Sequence, residues 1–369
     1  MKIGIAFDDS LDRPDGVQQH ILTLGEWLEN HGHKVYYLVG NSKPIVGKNI
    51  HSLARVINVK FNKNRLSIPL PVSKNKLRKL LNSLNLDLLH IQMPFSPFFV
   101  GRLINIYHGP TVATFHILPS GKLSIVGNKL LAKVQKNTIK KIDDIIAVSS
   151  PAGDYAAKTY KTIQPKIIPN SIFLDNLSKY SKKTKRRFIE IRFLGRLVPR
   201  KGAMVLVKAV DLLHKNNPDL KINLSVCGSG PMLKKISKYL KTNNLEKIIK
   251  MKGQIKESEK PEFLNDADIA VFPASGGESF GIVLIEAINF GSGVVIGGDN
   301  PGYRYVLNDE KTLFSANSEL ELSKLLLLLI NNPKLRQEIN SKQNILIEKF
   351  NIDINGPKII DVYNSIVAL

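Results

Sequence analysis

Short apolar runs alternate with stretches of helical periodicity along most of the chain, the pattern of repeated strand, helix, strand units around a mostly parallel sheet. In the first half, residues 3–7, 35–39, 87–92, 111–116 and 144–149 read as strands, with a shorter run at 166–170. Between the first two, Val17, Ile21, Leu24 and Leu28 recur at helical spacing over 17–30, and Gly32 follows the end. The second half restarts the alternation, with strands at 189–194, 222–226, 269–273 and 293–296 and helices at 203–214, 320–330 and 357–367. Periodicity lapses between 171 and 187, where 179–187 is densely basic, and that segment reads as a linker. The expected organisation is α/β throughout: a first domain over 1–171, a basic linker over 172–187, a second domain over 188–350, and a C-terminal helix within 351–369 that packs back towards the first domain. A cleft is expected between the two halves.

One stretch concentrates candidate chemistry. The strand at 269–273 runs into Ala274-Ser-Gly-Gly-Glu-Ser-Phe-Gly281 and then into a helix that Gly291 stops. Ser279 is expected to cap that helix, and Gly276 and Gly277 leave room for a group to approach the backbone. The N–H groups of the first turn favour an anion. Glu278 precedes the helix, and Glu286 lies inside a segment, 281–290, that is otherwise almost wholly apolar. A carboxylate there needs hydrogen-bond donors. Ligand hydroxyls would supply them, and so would a neighbouring lysine.

Composition narrows the class. The 369 residues are 43% hydrophobic, enough for two domains with substantial cores. A single cysteine, Cys227, leaves no internal disulfide and fits a reducing compartment. The first residues already read as a strand without a signal-peptide pattern, and the longest apolar run, 325–330, is too short to span a bilayer. The expectation is a cytoplasmic protein. Its formal net charge of +22 favours nucleic acid, anionic lipid or phosphorylated small ligands.

Position separates these partners. Between 60 and 86, Lys60, Lys63, Arg65, Lys74, Lys76, Arg78 and Lys79 occur without an acidic residue. Ser73 is placed to cap a short helix with Leu77, Leu80, Leu81 and Leu84 on one face and bases on the other. That helix reads either as one lying on anionic lipid or as an ordinary surface helix with its leucines turned inward. A second basic stretch, 117–142, holds six lysines and no acid, with Lys129, Lys133, Lys136 and Lys140 at helical spacing. Aromatic stacking platforms of the kind that bind nucleic acid are missing beside these bases.

Loops at strand ends carry the remaining candidates. Arg196, Arg200 and Lys201 share one strand-to-helix loop beside Gly202, and Gly228-Ser-Gly230 follows the next strand. Fixed cations at such a place suit a diphosphate, because they neutralise charge that grows as a sugar–phosphate bond breaks. In the first half, Gln92 and His116 end their strands, and the loop before Val17 opens a helix where such folds hold phosphate. A G-x-G-x-x-G run is absent there, which argues against a nicotinamide-dependent dehydrogenase.

These motifs together resemble glycosyltransferase family 4, retaining enzymes of the GT-B fold. The resemblance rests on Gly195-Arg196 with Arg200-Lys201-Gly202, on Val226-Cys-Gly-Ser-Gly-Pro231, and on the paired glutamates of Glu278-Ser-Phe-Gly-Ile-Val-Leu-Ile-Glu286. The first half adds Pro14-Asp-Gly-Val-Gln-Gln-His20, Leu89-His-Ile-Gln92, Ala113-Thr-Phe-His116 and Ile168-Pro-Asn170, which look like the phosphatidylinositol mannosyltransferases of that family. Asp15 stands where those relatives usually carry glycine, and Ser171 where a glycine usually follows Pro-Asn.

The resemblance implies two Rossmann-like domains with parallel sheets facing each other across a cleft, and a nucleotide-sugar donor, GDP-mannose. It implies Arg196 and Lys201 on the donor diphosphate, Glu286 on the ribose and Glu278 on the sugar hydroxyls. The loop of Ser279, Phe280, Gly281 and Ile282, with Gly228 and Gly230, lines the donor site. Gly16 lets backbone close on the diphosphate, and His116 stabilises an oxocarbenium-like state. No metal or cofactor is implied. Gln18, His20, Lys74, Lys76, Arg78 and Lys79 are assigned to the acceptor and to an anionic membrane, at its inner face. The alternatives are a UDP-sugar donor with a glycolipid, polysaccharide or soluble acceptor, and a sugar-nucleotide-binding module without turnover.

Overall fold

A computed structural model describes residues 1–13, 15–61, 64–161, 164–174 and 187–368. Two compact units are present, one of Met1–Phe173 with Phe350–Leu369, the other of Leu174–Lys349. Most of the sequence-assigned linker lies outside the described residues, as do Lys63 and the side chains of Lys60 and Arg65.

The first unit runs β1 (Lys2–Phe7), α1 (Gly16–Asn30), β2 (Lys34–Val39), β3 (Asn49–Ser52), β4 (Val56–Phe61), β5 (Asn64–Pro69) and α2 (Lys74–Leu84). It continues with β6 (Leu88–Met93), α3 (Val100–Ile106), β7 (Thr111–Phe115), α4 (Lys122–Val134), α5 (Lys136–Ile139), β8 (Asp144–Ala147), α6 (Ser150–Tyr160) and β9 (Lys166–Ile167). Seven strands form a parallel sheet in the order β3-β2-β1-β6-β7-β8-β9. Strand order therefore reverses beside β1, which pairs with β2 on one side and β6 on the other. In doubly wound sheets the crevice outside the carboxyl ends at that reversal is where ligands bind. The β1–α1 loop and Gln92 of β6 lie there.

The second unit runs β10 (Ile189–Leu194), α7 (Ala203–Asn216), β11 (Ile222–Cys227), α8 (Leu233–Thr242), β12 (Ile249–Gly253), α9 (Lys260–Asn265), β13 (Ile269–Phe272) and α10 (Ile282–Asn289). It ends with β14 (Val294–Gly298), α11 (Pro301–Leu307), β15 (Leu313–Phe314), α12 (Glu319–Asn331) and α13 (Pro333–Leu346). Its sheet order, β12-β11-β10-β13-β14-β15, reverses between β10 and β13. The arginine–lysine loop and the glutamate loop leave those two strands side by side. Helices α7 and α12 pack against each other and against the apolar strands, with Leu206, Val210, Leu322 and Leu326 in the core of this unit.

Several elements differ from the sequence expectation. The basic stretch beginning at residue 60 opens with an antiparallel hairpin, β4 with β5. Ser73 takes the N-cap position of α2 without a side-chain hydrogen bond, while Leu77, Leu81 and Leu84 are buried. The leucine face is thus consumed by the fold, and Lys74, Lys76, Arg78 and Lys79 remain exposed. The lysines of 129–140 do not share one helix face, because Gln135 ends α4 and its amide donates to the Phe95 carbonyl at 2.7 Å. Among the described residues no helix is long and apolar enough to cross a membrane.

The last helix, α14 (Ile352–Val367), begins five residues before Pro357, because the Asn351 side chain accepts from the Asp353 N–H at 3.0 Å and caps it. It belongs to the first unit. Ile359, Val362, Tyr363 and Ile366 join the core with Leu24 and Leu28 of α1, and Trp27 Nε1 donates to Asp353 at 2.9 Å. Ser171 contributes as well, its hydroxyl accepting from Asn355 at 2.9 Å. At Gly356 the two helices touch so closely that a Cβ would lie 2.5 Å from the Trp27 ring.

Trp27 is the single tryptophan, so its fluorescence reports this docking. Gly356→Val is expected to cost about 2 kcal/mol by overpacking, lowering Tm by several degrees and red-shifting the emission. Unchanged Tm and emission would show that α14 docks without this contact.

Candidate active site

In the first unit, the β1–α1 loop closes back on the strand ends beside it. Gln18 is buried and donates from its side-chain amide to the Ser10 carbonyl at 3.1 Å, fixing the loop before the helix. Gly16 is exposed at the first turn of α1, and Asp15 has an extended backbone, φ −89°, at a place where glycine is not required. His116 follows β7 and is buried; its Nε2–H donates to the Gln92 side-chain oxygen at 2.6 Å. The β6–β7 register, Gln92 beside Thr114, brings that partner into reach. The His20 ring meets His116 edge to face at 4.9 Å.

Burial sets the charge of this cluster. It pushes His20 down to about 4 and His90 down to about 3, and with His20 and His90 beside it holds His116 well below the ordinary imidazole range. His116 is therefore neutral at pH 7. His90 is tied to Tyr363 at 2.6 Å and Thr114 at 2.7 Å, which locks the strand to α14. Gln18 and His20, assigned from sequence to the acceptor and membrane, are both buried and cannot lie on a membrane surface. The sequence reading missed Asp8. Burial raises this carboxyl to about 6, and it accepts from the Ser96 and Val100 N–H groups and the Ser96 hydroxyl, anchoring the loop after β6.

In the second unit, Glu278 is buried and pairs with Arg200 and, at 3.0 Å, with Lys201. Burial alone would raise this carboxyl, and the two cations more than offset it, so it stays ionised below the ordinary range. Lys201 is shifted down by burial and by the charges of Arg200 and Arg196, while Glu278 pulls the other way. Arg196 is half-buried and close enough for that influence. The Ser275 N–H donates to the Arg200 carbonyl at 2.9 Å and pins the two loops together.

The glycine loop works differently from the sequence expectation. A Cβ on Gly228 would lie 1.9 Å from the Gly195 carbonyl oxygen, and one on Gly230 would lie 2.5 Å from that of Leu197. Both residues have φ values, 140° and 152°, that side chains rarely adopt. They are needed so that one backbone can rest on another, which holds the Arg196 loop in place. Ser279 does not cap α10: the helix begins at Ile282, with Gly281 in the N-cap position. Phe280 and Ile282 are buried in the fold, so this turn offers backbone rather than side chains to solvent.

Glu286 already has a donor, because Lys260 Nζ lies 2.8 Å from it and 2.7 Å from Glu257. The neighbouring lysine that the sequence left open is thus one of its donors. Lys260 is buried, and its partners more than offset the burial that would lower it. Nothing local marked this lysine, which is 26 positions from its partner. The one hint was a cation inside the acid-rich Glu257-Ser-Glu-Lys260.

The family description of Glycosyltransferase Family 4 matches residues 14–176, and that of glycosyl transferases group 1 matches residues 176–344. A phosphatidyl-myo-inositol mannosyltransferase of Propionibacterium freudenreichii subsp. shermanii is 30% identical over 98% of this chain and 94% of its own length. The chain belongs to glycosyltransferase family 4. The phosphatidyl-myo-inositol mannosyltransferase of Mycobacterium tuberculosis is 28% identical over 100% of this chain and 98% of its own. A solved glycosyltransferase from Rickettsia africae superposes with a TM-score of 0.77 at 15% identity, over 99% of this chain and 98% of that one, and the shared fold is GT-B. In this glycosyltransferase the arginine–lysine loop and the glutamate loop both fall within the matched residues 176–344.

The buried histidines are expected to make this fold sensitive to acid. Their folded-state values lie below the unfolded 6.5, so their contribution is complete above that pH and declines as pH falls towards 4, about 3 kcal/mol for His20 alone. Asp8 acts in the opposite sense, since its folded value of about 6 exceeds the unfolded 3.8 and its burial cost is relieved as pH falls. Three histidines outweigh one aspartate. Tm measured from pH 7 to 4.5 is expected to fall, and His20→Leu is expected to flatten the slope. A slope that His20→Leu leaves unaltered would contradict a neutral buried His20.

Proposed function

We propose that this glycosyltransferase moves mannose from GDP-mannose to a phosphatidylinositol-type lipid, with retention of anomeric configuration, at the inner face of an anionic membrane. The observation that carries the reading is the ionised, buried Glu278 held between Arg200 and Lys201 at the reversal point of the second sheet. A fixed carboxylate among fixed cations suits a ligand that joins sugar hydroxyls to a diphosphate. The full-length likeness to phosphatidyl-myo-inositol mannosyltransferases supports the choice of sugar and acceptor.

The roles of the side chains are those that the family resemblance implies, and the charges seen here are compatible with them. Arg196 and Lys201 receive the diphosphate, and Glu278 turns to the hexose hydroxyls as that anion takes over its cations. Glu286, shared with Lys260, accepts from the ribose hydroxyls. Gly16 and the backbone of 279–282 with Gly228 and Gly230 give close approach. The bond from C1 to the diphosphate oxygen breaks, an acceptor oxygen bonds to C1 on the same face, and its proton passes to the departing diphosphate. Neutral His116 presents a ring dipole to the positive charge that develops on the sugar. Because protein cations take the leaving-group charge, transfer requires no metal and is expected to proceed at full rate in EDTA.

Thermal shift distinguishes donors, since a ligand of the native state raises its stability. GDP-mannose is expected to raise Tm, while UDP-glucose and UDP-GlcNAc leave it near the unliganded value; the reverse order would replace the donor. Labelled mannose is expected to appear in phosphatidylinositol. Glu278→Gln is expected to cut that transfer about 10²-fold or more with the circular dichroism unchanged. Full turnover in that variant would remove Glu278 from the mechanism.

A further inference from the structure

Gln92, near the carboxyl end of β6, is a polar side chain buried at the reversal point of the first sheet. Its side-chain oxygen lies 2.6 Å from His116 Nε2, while its amide nitrogen has no hydrogen-bond partner among the described residues. A glutamine kept for stability has both ends satisfied, because an unpaired buried N–H group is costly. This one is held by His116 alone.

Backbone geometry sets up the pair. Gln92 lies beside Thr114 in the β6–β7 register, and the His116 N–H donates to the Met93 carbonyl at 3.2 Å, carrying the ladder past the end of β7. Side chains two apart share a face, so Gln92 reaches His116 along the same diagonal by which His90 reaches Thr114 at 2.7 Å. The His20 ring, edge to face at 4.9 Å, limits how far the imidazole can swing.

The neutrality of the partner matters. An amide oxygen accepts from Nε2–H and leaves the ring uncharged, whereas a carboxylate at the same place would favour the imidazolium. His20 of α1 and His90 of β6 bear on the charge of His116, and burial keeps both neutral; Asp8, at the end of β1, is turned to Ser96 and Val100. We propose that Gln92 is a positioning residue for His116: its amide oxygen fixes the ring in the Nε2–H tautomer and, being uncharged, keeps the imidazole from gaining a second proton. That tautomer puts the lone pair, the negative end of the ring dipole, on Nδ1. The consequence for transfer rests on the reading of His116 as a neutral dipole towards the sugar, where an imidazolium would repel the developing positive charge.

Full-length protein labelled with 15N-histidine reports the tautomer directly, with His116→Ala assigning the signal. At pH 7 His116 is expected as the neutral Nε2–H form in the wild type, as a mixture of tautomers in Gln92→Leu and as imidazolium in Gln92→Glu. In mannose transfer from GDP-mannose, Gln92→Glu is expected to lower kcat about tenfold at about pH 6.5 with little change in donor KM, and to recover towards the wild-type value by about pH 9. Taking the ratio to wild type at each pH cancels titrations common to both. A wild-type signal from the Nδ1–H form, or a ratio that stays level with pH, would overturn the proposal. Wild-type transfer by His116→Ala would instead remove His116 from the mechanism, and the tautomer measurement would still decide what Gln92 does.

Discussion

Backbone resting directly on backbone is the constraint on which the second unit depends. A Cβ at Gly202 would sit 2.0 Å from the Pro273 carbonyl oxygen, and one at Gly302 would sit 2.3 Å from that of Glu278. With Gly228 on Gly195, these contacts stack the loops after β10, β11 and β13 and the start of α11 into one layer. Lys201 and Glu278, far apart in sequence, meet at 3.0 Å on loops that this layer brings together. The glycines of the family motif are therefore explained before any ligand is invoked.

Charge balance is the second consequence. Arg196, Arg200 and Lys201 bring three positive charges to one loop, and Glu278 removes one, leaving a local excess of two. A diphosphate ester carries a matching pair of negative charges, a feature common to nucleotide-sugar donors. The cost of burying Glu278 is met in the unliganded protein by the same groups that would bind the ligand. Glu286 has its own counter-ion in Lys260, and the two glutamates of the motif are held by two independent cation sets.

What could be read in the sequence was whatever repeats locally. Strands buried on both faces and long amphipathic helices were visible, as were the order of motifs and the places where loops leave the sheet. Partners were not. Arg200 and Glu278 are 78 positions apart, Lys260 and Glu286 26, and no local period links either pair. The supposed cap at Ser279 failed because the turn after Gly277 continues through Gly281, whose φ of 120° suits a residue without a side chain. The hairpin of β4 and β5 was not legible, because the register that pairs Ile57 with Ile68 is a property of two strands together.

Two helices in the first unit show why composition could not settle which face looks outward. Both α2 and α4 combine leucines with lysines, and α2 carries the clearer separation of the two. In α2 the leucine side packs inward and the bases are exposed, so its amphipathic pattern is what an ordinary surface helix requires. In α4 the fold does not use Leu123, Val126, Leu130 or Val134, and the helix stops at Gln135 before its lysines can line up with those beyond. Hydrophobic periodicity defines a face, and only the packing of neighbouring elements decides whether that face is spent on the core or left for another surface.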